Sequence, residues 1–344
     1  MFEKLIGNET VKTSLRRLLE SGRIPNSLLF AGPEGVGKKQ FALALAQSFV
    51  CGNADGERPC GACGACRRAL VFDIPSAEKR ENFRQVFSSA HPDVGMVVPF
   101  NKNILVDAIR DLEREANYRP YEAKARFFII DDADKMNDAA SNALLKTLEE
   151  PPATSYIVLV SSRPDSLLQT ILSRCQVIRF TPVSSTEIEA HLIATGKFSP
   201  EDARLAARLS AGSIGRALSI LPDEIRTRRS TMLQVLESVL VRRDRAALLA
   251  ISETLADAKN KDNFETDITI LESLIHDVWT LKLGDSPEDI ANPDLADQLF
   301  RLSKGSVTQE LAAWMREIEQ LRERTEVNIN KRIATDALFM KMAS

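Results

Sequence analysis

Two groups of residues in this chain have the types and spacing to do chemistry. Cys51, Cys60, Cys63 and Cys66 form a cluster in which eight, two and two residues separate successive cysteines, with glycine and alanine between the last three. Four thiolates are a donor set for tetrahedral Zn²⁺, bound at about 2.3 Å, and small spacers let a chain wrap that tightly. Four protein ligands leave no position for a substrate, so the expected ion is structural. The fifth cysteine, Cys175, stands alone. An odd, clustered count reads as a cytosolic metal site rather than a disulfide framework.

The second group is Gly32-Pro33-Glu34-Gly35-Val36-Gly37-Lys38-Lys39, which matches the phosphate-loop pattern G-x-x-x-x-G-K-S/T at every position but the last. Gly32, Gly35 and Gly37 let backbone N–H groups turn toward phosphate oxygens, and Lys38 is the residue that reaches the outer phosphates. The hydroxyl that ligates Mg²⁺ in such loops is replaced by Lys39, and a protonated lysine ligates no cation. Asp131, at the end of the apolar run Phe127-Phe128-Ile129-Ile130, stands where the Mg²⁺-associated acid belongs. Asp132 follows where ATPases of this type carry a glutamate that orients water, and it is one methylene shorter. Both departures weaken the same step and point to a site that does not hydrolyse. Retained binding of ATP and Mg²⁺, and a loop kept only as a turn, both remain compatible with these residues.

Positioning such a loop takes a buried parallel sheet. Short apolar runs recur at Ser27–Ala31, Val94–Val98, Phe127–Ile130, Tyr156–Val160 and Val177–Phe180. Runs so short and continuous are expected of parallel strands covered on both faces. Helical patterns lie between them at Lys39–Val50, Val106–Ala116 and Ala139–Glu150, the last stopped by Pro151-Pro152. This predicts a doubly wound α/β domain. From Ser185 onward the texture is helical, so an all-α half follows. We divide the chain at 1–181, 182–221 and 222–344, with the cysteine cluster inserted at 51–66.

Composition sets the outer bounds. The chain has 344 residues, 44% hydrophobic and 27% charged, with a formal charge of −3 at pH 7. It is no polycation built to coat nucleic acid, so DNA contact must come from a local face or from partners. No apolar run approaches a membrane span, and MFEKLIGNET has no secretory pattern. The expected location is cytoplasmic, with no membrane partner. His91, His191 and His276 have no ligand or catalytic spacing, Cys175 reads as a buried small side chain, and the arginine groups Arg226-Arg228-Arg229 and Arg242-Arg243-Arg245 read as solvated helix faces.

Longer strings carry a more specific signal. Phe2-Glu3-Lys4-Leu5-Ile6-Gly7, Leu29–Lys38 with the cysteine spacing behind it, and Asn142-Ala143-Leu144-Leu145-Lys146-Thr147-Leu148-Glu149-Glu150-Pro151-Pro152 are three of them. Thr170-Ile171-Leu172-Ser173-Arg174-Cys175 and Gly212-Ser213-Ile214-Gly215-Arg216-Ala217-Leu218 are two more. Together they resemble, over essentially the whole chain, the clamp-loader subunits of the bacterial replicative DNA polymerase, within the AAA+ ATPases. The resemblance implies an AAA+ domain, a helical lid and a helical collar, and a role in DNA replication. It implies delta and gamma/tau subunits as ring partners, and a sliding clamp and primed DNA as targets of the complex. It makes Arg174 an arginine finger that acts in trans on a neighbour's ATP. Arg216 becomes the lid's sensor residue, and Ser161 or Ser162 the strand-end sensor. The departures at Lys39 and Asp132, with no long tail after Ser344, favour a non-motor subunit. The active motor and a stand-alone zinc-dependent nucleic-acid-binding protein are its rivals. Asp73–Ala90 is longer than the family pattern suggests. The stripe Ile329, Ile333, Ala337 and Met340 resembles the last collar helix, and is expected to be core first and interface second.

Overall fold

The computed structural model describes residues 2–53, 58–256, 263–284, 290–325 and 330–343. Six strands form one sheet: β1 (Ser27–Ala31), β2 (Phe87–Ser88), β3 (Val94–Val97), β4 (Arg126–Ile130), β5 (Ser155–Ser161) and β6 (Gln176–Arg179). Their order is β2-β3-β4-β5-β1-β6, and all neighbours are parallel except β2 and β3. Five of these strands coincide with the apolar runs. The period-2 alternation of side chains explains why those runs are continuous. Leu28 and Phe30 of β1, with Phe127 and Ile129 of β4, enter one core with the helix Lys38–Val50. Leu29 and Ala31, with Phe128 and Ile130, enter a second core on the other face, against the helices Val106–Ala116 and Asp138–Glu149. Both faces are covered, as a doubly wound sheet requires.

The sixth strand, β2, was not legible. It lies in the long stretch Asp73–Ala90 and adds an antiparallel edge to β3. Phe83, Phe87 and Leu105 make a small core there, with Phe72, Val98 and Phe100 packed on it. Two residues of strand leave no periodic trace, so only the partner strand could define it.

The chain divides into two compact units, one of residues 1–191 and 212–216, the other of residues 192–211 and 217–344. Residues 182–221, expected as a lid, thus contribute to both. The second unit is helical, from Pro200–Leu209 through Pro222–Glu237, Phe264–Leu283 and Ala296–Gly305 to Lys331–Met342. Its core is built on Met232, Leu236, Leu271, Leu274, Ile275, Val278, Ile318 and Phe339.

Two expectations for this unit are corrected. The last helix buries Thr335, Leu338, Phe339 and Met342, while Ile333 is 65% exposed and Ala337 is exposed. Ile333 and Ala337 are therefore off the core face, Met340 is half-buried and packs against the core, and Ile329 lies outside the described residues. Arg228 and Arg229 are not solvated either, whereas Arg226 is exposed as expected. Arg228 donates twice to the buried Asp267 at 3.0 and 3.1 Å, Arg229 grips Asp294, and Arg226 grips Asp202. A charge taken out of water needs such a partner. Arg242, Arg243 and Arg245 are exposed, as expected.

Candidate functional site

The phosphate loop leaves the carboxyl end of β1, which lies between β5 and β6. Parallel strands bring their carboxyl ends to one side of the sheet, so Gly32, Asp131 and Ser161 gather there. The Gly32 amide donates to the Ser161 carbonyl at 3.3 Å. Gly32, Gly35 and Gly37 have φ of +155°, +73° and +97°. At Gly35 this is a left-handed conformation, and a Cβ there would also overlap Ser213 Oγ. The Gly215 amide donates to the Gly35 carbonyl at 2.9 Å, so the segment 212–216 is stitched to the tip of the loop. Arg216 lies in the first turn of the helix Ile214–Ser219, with its own amide donating to Ser213 Oγ.

The two lysines do different things. Lys38 is buried and donates to the Gly32 and Pro33 carbonyls at 2.6 and 2.5 Å. Burial lowers its pKa from the ordinary lysine value, against the opposing pull of Asp134, Asp132, Glu34 and Asp131. Lys39 places its ammonium 2.8 Å from Asp131 Oδ2. A fixed side-chain cation thus faces the carboxylate expected to attend Mg²⁺. Asp132, in a left-handed conformation with φ of +49°, turns its carboxylate to Lys135 at 2.8 Å. It is held in a surface ion pair rather than aimed across the loop.

The acid engaged at the strand ends is Asp134, which the motif reading missed. Its Oδ1 accepts from Ser161 Oγ at 2.8 Å and from the Ser162 amide at 3.0 Å. Burial alone would raise its pKa, but these two donors and Arg163 hold it below the ordinary carboxylate value. Ser161 is fully buried by this bond. The only sequence signal was a third acid in Asp131-Asp132-Ala133-Asp134, and nothing in that run says which one faces the next strand.

The four clustered cysteines do come together. Their sulfurs all lie within 4.8 Å of one another, and the Cys60 and Cys66 sulfurs are 3.9 Å apart. Tetrahedral Zn–S bonds of about 2.3 Å put sulfurs just under 4 Å apart, so the set fits that ion. Backbone amides of Cys60, Cys63 and Cys66 point at the sulfurs of Cys51, Cys60 and Cys63 at 3.4 to 3.5 Å. Such donors favour the thiolate. The Cys63 thiol is pulled down to about 6, by the Cys66 amide first and that of Gly52 next, while burial pushes Cys66 up. Gln47 anchors the cluster to the sheet-packed helix by donating to the Cys66 carbonyl at 2.8 Å. Cys175, by contrast, is buried with its thiol pushed up to about 12, an inert core side chain. His91 is buried too, with its pKa lowered by that burial, and neither joins a metal cluster among the described residues.

Arg174 lies between the short helix Gln169–Leu172 and the start of β6, the edge strand. β6 runs parallel to β1, so Arg174 sits at the amino ends of the strands, on the opposite side of the sheet from its own phosphate loop. A five-residue strand spans roughly 16 Å. This arginine cannot serve the loop of its own chain. Its guanidinium is one-third exposed and bonded to Glu149 Oε1 at 2.7 Å and the Thr170 carbonyl at 2.9 Å.

A family model described as "DNA polymerase III, delta subunit" matches residues 7–184, more than half of the chain. The chain belongs to this family. A second model, describing the C-terminal part of the same delta subunit, matches residues 224–341. Among curated relatives, the DNA polymerase III subunit delta' of Bacillus subtilis is 29% identical, over 91% of this chain and 89% of the relative. The subunit delta' of Escherichia coli is 28% identical, over 99% and 92% respectively. A gamma/tau subunit from Mycobacterium bovis is 27% identical over all of this chain and 61% of its own length. A solved gamma subunit-related protein from Thermotoga maritima aligns at 17% identity, with a TM-score of 0.37 over 97% of this chain and 98% of that one. No described helix is long and apolar enough to cross a membrane.

Proposed function

We propose that this chain is a delta-prime-like subunit of the DNA polymerase III clamp loader, a cytoplasmic assembly in which it scaffolds the ring and offers Arg174 to a neighbour. The observation that carries the non-motor role is the Lys39–Asp131 ion pair at 2.8 Å. It sets a lysine ammonium against the carboxylate that a hydrolysing site would commit to Mg²⁺. On this reading the chain's own loop hydrolyses no ATP, and Gly32, Gly35, Gly37, Lys38, Asp131 and Asp132 persist as a degenerate nucleotide loop. Residues 182–221 act as the lid, with Arg216 retained in a structural role, and 222–344 form the collar.

The four cysteines hold one structural Zn²⁺. When bound, that ion supplies cross-linking and no reaction. This chain's own residues do the rest: Cys51 to Cys66 wrap it, and Gln47 ties the knuckle to the domain. The partners are the delta and gamma/tau subunits, and the complex acts on a sliding clamp and primed DNA. A planar guanidinium held at the domain edge matches phosphate oxygens and stabilises the charge that develops as a γ-phosphoryl leaves.

The test has two arms. The isolated chain should show no Mg²⁺-dependent ATP turnover above background. Turnover that disappears in Lys38→Ala would overturn this and promote the motor reading that the gamma/tau relatives represent. In a complex rebuilt with delta and gamma/tau, Arg174→Ala should remove the turnover of the one site it faces, so the total falls in part, and loading should fall further. Trans arginines contribute ~10³–10⁵ in rate in other nucleotide hydrolases. Parent-like turnover and loading would sink the trans role.

A further inference from the structure

Glu149 is the last residue of the helix Asp138–Glu149, and Pro151-Pro152 prevent that helix from going further. A carboxylate there faces the negative end of the helix dipole, the least favourable helix end for an acid. Its compensation is the Arg174 guanidinium at 2.7 Å, from a different element of the fold. Arg174 gains in turn. Its Nη2 meets Glu149 while its Nη1 donates to the Thr170 carbonyl at 2.9 Å and reaches Ser173 Oγ at 3.4 Å. A long, rotamer-rich side chain at the surface is thereby held in one pose. Glu149 is half exposed and Arg174 one-third exposed, so water screens the pair and the bond is cheaply exchanged. Phosphate oxygens bearing more charge would displace the single carboxylate contact.

We propose that Glu149 is a positioning residue for Arg174. It holds the guanidinium at the domain edge in a pose ready for a neighbour's nucleotide, and yields it to the phosphates when the two subunits close. This rests on the trans role of Arg174 given above.

The test uses the complex rebuilt with delta and gamma/tau subunits and measures ATP turnover for the parent, Glu149→Gln, Glu149→Asp, Arg174→Ala and the double variant Glu149→Gln with Arg174→Ala. The difference between parent and Arg174→Ala defines the Arg174-dependent turnover. Glu149→Gln keeps the shape and removes the charge, and should cut that part of kcat about three- to tenfold with KM unchanged or lower, since a small misplacement of a reacting group is costly. Glu149→Asp should restore part of the loss, and it carries the cycle if Glu149→Gln fails to assemble. In the Arg174→Ala background the Gln change should do nothing. Parent-like turnover of Glu149→Gln overturns the positioning role while leaving the finger intact. An equal loss in both backgrounds also overturns it, because a structural defect needs no Arg174. If Arg174→Ala itself matches the parent, the finger reading fails and this inference fails with it.

Discussion

The cysteine cluster and the phosphate loop are two motifs in one domain with opposite fates. The cluster gathers all of its donors: four sulfurs within 4.8 Å, amides turned toward three of them, and a geometry that suits one ion. The loop keeps its backbone, three glycines and a buried lysine, but its electrostatics are self-satisfied. Lys38 bonds the loop's own carbonyls, Lys39 bonds Asp131, and Asp132 bonds Lys135. A motif records backbone shape and residue type. Whether it can still do chemistry depends on which partner each charge has found.

The largest effect should come from the cluster. Cys63→Ser, or chelation of the metal, should remove one Zn²⁺ per chain and destabilise the first unit by on the order of several kcal/mol, because metal binding and local folding are coupled. Metal analysis of protein purified without chelator, followed by thermal melting, checks it. Protein that is metal-free and equally stable would make the two motifs alike, both relics.

Next comes Gly35→Ala in the loop. Its left-handed φ and the overlap with Ser213 Oγ should cost about 1–3 kcal/mol, read as a lower denaturation midpoint. An unchanged midpoint would mean that the 212–216 segment is not stitched to the loop as described. Asp134→Ala should cost a similar or smaller amount, about 1–3 kcal/mol, by leaving the buried Ser161 hydroxyl without its acceptor.

Lys39→Thr restores the missing hydroxyl and frees Asp131. The pair is only half-buried and contributes about 1 kcal/mol, so the melting temperature should move little. Mg²⁺-dependent nucleotide affinity should rise, measured by calorimetry on the isolated chain. No gain would show that the loop is closed by more than this one charge.

The smallest effect is a pH dependence. Asp134 has its folded pKa depressed from 3.8, so its contribution is fully present above that value and is lost as pH falls through the lower folded one. Asp134→Asn should therefore flatten the acid limb of stability below about pH 4, and an unchanged limb would locate the acid sensitivity elsewhere.

Much of this was legible in the residues. Five strand runs, the phosphate loop and the thiolate set all depend on local spacing, and period-2 burial or a wrapped knuckle leaves a mark within a few positions. Arg174 was marked only by the family resemblance of its string. The three acids of the run Asp131–Asp134 were legible only as a set, because a turn decides which carboxylate faces Lys39, Lys135 or Ser161. Arg228 and Arg229 look like a solvated face until Asp267 and Asp294 arrive from distant positions. Ile333 and Ala337 look like a core stripe until packing selects the neighbouring face with Leu338 and Phe339.

By itself the sequence determined the elements, the donor set of the cysteine cluster and the glycine conformations of the loop, since each is enforced within a short stretch by steric and hydrophobic periodicity. Only the tertiary structure decided the pairings: Lys39 with Asp131, Ser161 with Asp134, and Glu149 with Arg174. It also decided that Arg174 and the phosphate loop lie on opposite sides of the sheet, which follows from β6 pairing parallel to β1. The physical reason is the range of the interaction. A charge pair forms between whatever side chains the fold brings within about 4 Å, and separation along the chain carries no trace of it.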